Sequence, residues 1–167
     1  MKPVSMQHLM DDVPAGTANE AVENGRVAGD CLRASLASIL ELPIGDVPHF
    51  VQYRGADDSH LWWWALVGWC FTMGIDARYI DGETVPKGWS LVDGRSPRGH
   101  AHVCVGFDGE VIFDPHPSRS GLPEIEGYVQ LIPITDAAKE VLARRVSRML
   151  ADELTREAER LGLYADA

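Results

Sequence analysis

Three side chains far apart in the chain have types suited to one chemistry. Cys31 follows Gly29-Asp30 and precedes Leu32, Leu36, Ile39 and Leu40, which share one face at helical spacing. That places the thiol in a helix's first turn, where unpaired N–H groups and the positive dipole end favour an anion. Thiols in such settings, above all beside a histidinium, titrate at roughly 3.5–7.5 instead of about 8.5. Asp30 is the expected N-cap, and its charge opposes a thiolate unless the side chain is committed to capping.

The partners lie in HAHVCVGFDGEVIFDPHPS, residues 100–118. His102 to Val105 enter a strand, Asp108-Gly109 makes a turn and Val111 to Asp114 return. A two-residue loop would put His102 and Asp114 on opposite faces, because side chains alternate along a strand. A three-residue loop, Phe107 to Gly109 with Gly109 left-handed and bulged, sets Gly106 opposite Glu110 and His102 across from Asp114. Cross-strand Cβ atoms about 4.5–5.5 Å apart let a carboxylate orient an imidazole. A Cys31–His102–Asp114 relay is thus available, and it depends on that bulge.

The elements that must hold these groups follow from pattern and punctuation. Residues 3–7 suit a short strand and residues 11–30 a loop. The Cys31 helix stops before Pro43, and residues 42–57 form a loop with Pro48, His49 and Phe50. A second helix is expected over 59–73, closed by Gly74, with a stripe of Trp62, Leu66, Trp69, Cys70 and Met73. Strands are expected at 77–81, 89–93, 101–107, 110–114 and 127–133. A helix over 136–161, capped by Thr135, carries Leu142, Val146, Leu150, Leu154 and Leu161 on one stripe. Helices, then an antiparallel sheet, then a long C-terminal helix make an α+β layout. The 167 residues fit one domain, 1–167, with 8–28 as an insertion and 135–163 as a helical extension.

The charge balance, 15 basic against 25 acidic residues and a net of -10, disfavours phosphate backbones and anionic membranes. No apolar run reaches the length of a membrane span, and three unpatterned cysteines suit a reducing cytoplasm. The expected partner is a peptide or small amide, with neither nucleic acid nor membrane, and the C-terminal helix is a candidate homodimer seam.

The order of parts resembles the papain-like cysteine hydrolases: a helix opening on the nucleophile, then a sheet bearing His and Asp or Asn. The stretch from His102 through Val103, Cys104 and Val105 to Asp114-Pro115 is similar to the histidine strand of double-glycine leader peptidases. GDCLRASLASILELPIGDVPHF at 29–50 with SPRGHAHVCVGFDGEVIFDPHPSRSGL at 96–122 resembles small bacterial and phage proteins of that fold. The likeness covers residues 3–7 and about 29–133. It implies a papain-like cysteine (thiol) protease or amidase with Cys31 as nucleophile, His102 as general base, Asp114 as orienting acid and no cofactor. It also implies an oxyanion-hole Gln shortly before the Cys. The usual place holds Gly25, so Gln7 is the candidate, with Asn24 as the alternative.

Other readings attach to the same residues. His100, His102, Asp114 and His116, with Cys104 beside them, carry ligand atoms for a zinc-dependent hydrolase. A non-catalytic papain-like binding or structural protein is a third reading. His49, His100, His116 and Trp63 are candidates for a substrate groove. Against this, Phe50 beside His49 suits a core plug, His100 a solvent-facing loop, His116 a turn and the tryptophans core packing. Cys70 and Cys104 are expected to be structural.

Overall fold

The computed structural model describes residues 29–53 and 61–161. Helix α1 spans Cys31–Leu40 and is enclosed nearly all round, with Leu32 and every residue from Ala34 to Leu40 buried. Such a helix belongs in an interior. It ends at Glu41 in the left-handed conformation (φ 56°), two residues ahead of Pro43. The expected loop that follows contains two 3₁₀ turns, Ile44–Asp46 and Phe50–Tyr53. Phe50 is buried and meets Trp69 edge to face at 5.8 Å, so it plugs the core.

Helix α2, Leu61–Thr72, is closed by Gly74 at φ 74°. Leu66 and Cys70 are its buried residues, Trp62 and Trp69 pack partly against the core, and Met73 is exposed, contrary to the expected stripe. Trp63 is half-buried against Trp62 and Tyr79, and Trp64 is the outward ring at 66% exposure.

Five strands follow: β1 Ile75–Asp81, β2 Trp89–Arg95, β3 Ala101–Phe107, β4 Glu110–Phe113 and β5 Glu124–Pro133. They form one antiparallel sheet in the order β1-β5-β2-β3-β4. Alternation sorts the side chains. Leu91 of β2 lies opposite Val105 of β3 and Val129 of β5, and this row joins the core made with α1 and α2. Val92, Cys104 and His102 take the alternate positions.

Helix α3, Asp136–Arg160, is capped by Thr135, whose hydroxyl oxygen accepts the Ala138 N–H at 3.2 Å. Its first half covers the core through Ala138 and Leu142, and the Trp89 indole N–H donates to the Leu142 carbonyl at 3.1 Å. Glu41 accepts from Arg144, Arg145 and Arg148 at 2.8–3.4 Å, tying α3 to the end of α1. The second half leaves Leu150, Leu154 and Leu161 exposed, so the expected stripe packs on the core only as far as Val146, with Met149 beside it. The architecture is α+β as expected. No helix among the described residues is long and apolar enough to cross a membrane.

Candidate active site

The hairpin of β3 and β4 decides where His102 and Asp114 meet. Its loop is Asp108-Gly109 alone, both residues with positive φ (49° and 84°), and Phe107 pairs with Glu110. Of the two loops the sequence allows, the two-residue one forms. Two left-handed residues match the right-handed twist of the flanking strands, which a longer loop is not needed to do. The bulge lies inside β4 instead. Val105 pairs with Phe113 and Gly106 with Val111, leaving Ile112 as the extra residue. One inserted residue reverses the parity of everything beyond it. Asp114, just past β4, therefore returns to the face of His102.

The result is a buried pair. His102 Nε2 lies 2.7 Å from Asp114 Oδ1, and both side chains are almost wholly enclosed. Asp114 Oδ1 also accepts the His116 backbone N–H at 2.8 Å, and Oδ2 accepts the Gly121 N–H at 2.9 Å. The Arg119 guanidinium donates to the Asp114 carbonyl and stacks over the Phe113 ring at 4.4 Å. Burial works against the Asp114 carboxylate. The hydrogen bonds from His102, His116 and Gly121 outweigh it and hold the carboxyl well below the usual range.

Cys31 sits at the first residue of α1, partly exposed. β4 pairs with β3 only as far as Val105, so Ala101 to Cys104 have no strand on that side. The His102 ring interacts with the thiols of Cys31 and Cys104. Burial lowers the imidazole's affinity for a proton, but bonds to Asp114, Cys104 and Cys31 and the charge of Cys31 raise it to about 11. Burial pushes the Cys104 thiol up despite its contact with His102. Cys70 is also fully buried, which pushes it up to about 12.

Asp30 departs from expectation. It precedes α1, yet its side chain makes no capping bond, and neither oxygen has a hydrogen-bond partner among the described residues. Gln7 and Asn24 lie outside the described residues. His49 is buried, not on an open groove. His100 is partly buried with Nδ1 unpaired, which corrects its reading as a solvent-facing loop residue. His116 is committed to a turn: its Nδ1 accepts the Ser118 N–H at 3.0 Å, while its ring meets His102 edge to face at 6.1 Å. Among the described residues, the side chains whose ligand atoms converge within 4.8 Å are His102, Cys104 and Asp114, so the zinc set with His100 and His116 does not assemble as expected.

Sequence reasoning missed three contributors. Gly121 and Arg119 hold Asp114, and the only signal was the Pro, Ser and Gly content of 115–122, which marks a turn without saying what it binds. Asp93 of β2 is the third, close enough to His102 for their charges to act on each other. Burial, then Glu126, push its carboxyl up to about 6. Gly94 beside it lies opposite His102 at a bulge, where a Cβ would collide with the Glu124 carbonyl. The chain matches no protein-family model, no curated protein and no solved structure.

Proposed function

We propose that this chain is a papain-like cysteine hydrolase that cleaves an amide, peptide or isopeptide bond through an acyl-enzyme. The observation that carries the reading is the enclosed 2.7 Å contact between His102 Nε2 and Asp114 Oδ1 beside the thiol that opens α1. An ionised carboxylate only accepts, so Nε2 carries a hydrogen and Nδ1 is the nitrogen left to exchange a proton with Cys31.

The steps follow from that assignment. With the proton on His102, the Cys31 thiolate attacks the carbonyl carbon and the C=O electrons move to oxygen. The Cys31 backbone N–H, in the first turn of α1 and without an intrahelical acceptor, faces the developing oxyanion. Gln7, or Asn24, is the proposed second donor, and such a donor contributes about 2.7–4 kcal/mol. Collapse breaks the C–N bond, and Nδ1–H protonates the leaving amine. Water then attacks the thioester, giving its proton back to His102, and the acid departs as the thiolate re-forms. An amine in place of water makes the same intermediate an acyltransferase. The three free cysteines suit a reducing compartment such as the cytoplasm.

Iodoacetamide labelling with site assignment by mass spectrometry tests the reading. At pH 6, Cys31 is expected to take one equivalent while Cys70 and Cys104 stay unlabelled. Labelling of all three cysteines only at alkaline pH, at equal rates, would instead favour a non-catalytic binding protein.

A further inference from the structure

The hydrolase mechanism leaves two buried thiols without a task, Cys70 and Cys104, and Cys104 lies beside its histidine. Cys104 is fully enclosed on the face of β3 that carries His102, two residues away. It adds a sulfur to the imidazole nitrogen and carboxylate oxygen already paired, and the three ligand atoms lie within 4.8 Å of one another. A zinc ion with bonds of about 2.0–2.3 Å holds its ligands roughly 3.3–3.8 Å apart, so a slight rearrangement suffices. One thiolate, one imidazole and one carboxylate suit a borderline-soft ion better than Mg²⁺ or Ca²⁺, which prefer oxygen throughout.

We propose that His102, Cys104 and Asp114 form a Zn²⁺ site and that its occupation switches the enzyme off by taking His102 and Asp114 out of the relay. The switch rests on the hydrolase reading; the binding site does not. Coordination releases two protons to solvent, the thiol proton of Cys104 and one ring proton of His102, and their electron pairs bind the ion. Asp114 exchanges its hydrogen bond with His102 for a bond to the metal. Nε2 and Oδ1, now 2.7 Å apart, separate by roughly half an ångström or more. With His102 and Asp114 held by the ion, Cys31 loses the partner that takes its proton and stays a thiol. A catalytic zinc would act the opposite way, its removal abolishing activity.

The Cys31→Ala chain isolates the site from the nucleophile. With Co²⁺ alone as probe it is expected to bind one equivalent and to show sulfur-to-cobalt charge-transfer absorption, for which Cys104 is then the intended ligand. Zn²⁺ alone, in competition with a chromophoric chelator, is expected to bind at least about 100-fold more weakly after the further change Cys104→Ser, a larger loss than changing a residue that merely supports a ligand typically produces. Absence of the charge-transfer band, or equal zinc affinity with serine at 104, overturns the site. Should the double variant fail to fold by circular dichroism, the cobalt spectrum decides alone. In the unmodified chain, one equivalent of Zn²⁺ is expected to slow Cys31 alkylation at least 10-fold, and a chelator to restore it. An unchanged rate overturns the switch. A Cys31 unreactive even without zinc overturns the hydrolase reading, and the switch with it, while the cobalt result still judges the site.

Discussion

Cys31 and Cys70 are the same residue in two helices, and their surroundings differ in every respect that governs a thiol. Cys70 lies in α2, whose sequence LWWWALVGWCFT has no charged residue, and it is fully buried with its thiol pushed up to about 12. Cys31 opens α1, partly exposed, against an imidazole anchored to a buried carboxylate. Burial that ends in apolar contact makes sulfur inert packing material, whereas a helix start beside a proton carrier gives it chemistry. The contrast lies in the neighbours.

The sharpest break exchanges the two roles. Cys31→Ala is expected to lower turnover of a fluorogenic peptide-amide panel by about 10⁴-fold or more with little change in melting temperature. Cys70→Ala should leave turnover intact and cost about 1 kcal/mol, roughly 2–4 °C in a chain of this size, read by differential scanning fluorimetry. Next comes the partner. His102→Ala is expected to slow Cys31 alkylation at pH 6 by about 10²–10⁴-fold and to leave Cys70 as unreactive as before. If Cys31 kept its rate, proximity to His102 would explain nothing.

How far the sequence carried this contrast varies by element. α1 and α3 were legible because caps and apolar spacing are local: Thr135 caps α3 as expected, and Leu32, Leu36, Ile39 and Leu40 are buried. The pairing of His102 with Asp114 was legible as a possibility that hung on one inserted residue. Its location in β4 was not, since nothing about Ile112 distinguishes it from its neighbours until strand twist and the Asp108-Gly109 turn are satisfied together. Asp30 misled, because cap preference describes averages and this side chain is enclosed without a partner among the described residues. Asp93 was unreadable, being brought near His102 by pairing across β2 and β3.

Asp114→Asn tests whether the carboxylate, and not merely the ring, separates the two thiols. Cys31 labelling at pH 6 is expected to fall about 10²-fold. Removing one member of a buried pair should also cost about 3 kcal/mol, or ~6–12 °C. The His102 imidazole, raised to about 11, stabilises the fold fully below its unfolded value of about 6.5, and that contribution is lost as pH rises through 11. The Asp114 carboxyl, held low, contributes above about pH 4 and loses its contribution in acid. These two groups taken alone hold the melting temperature level between about pH 4 and 6.5 and lower it on either side, and the profile is lower and flatter with asparagine at 114.

The smallest effect comes from Asp93, whose burial beside Glu126 acts in the opposite sense to Asp114. Its carboxyl is raised to about 6, so between about pH 4 and 6 the folded chain holds a proton that the unfolded chain has lost. Bound protons then favour the folded state, and stability falls as pH rises through that window. Asp93→Asn is expected to remove this slope and raise the melting temperature at pH 7 by a few degrees, with no gain at pH 4. The charge that Asp93 lends His102 goes with it, so Cys31 labelling should slow at most a few-fold. Around Cys70, where α2 has no titrating carboxylate, no matching variant can be made. A pH slope that survives Asp93→Asn would mean that the acid opposing the Asp114 effect lies elsewhere in the fold.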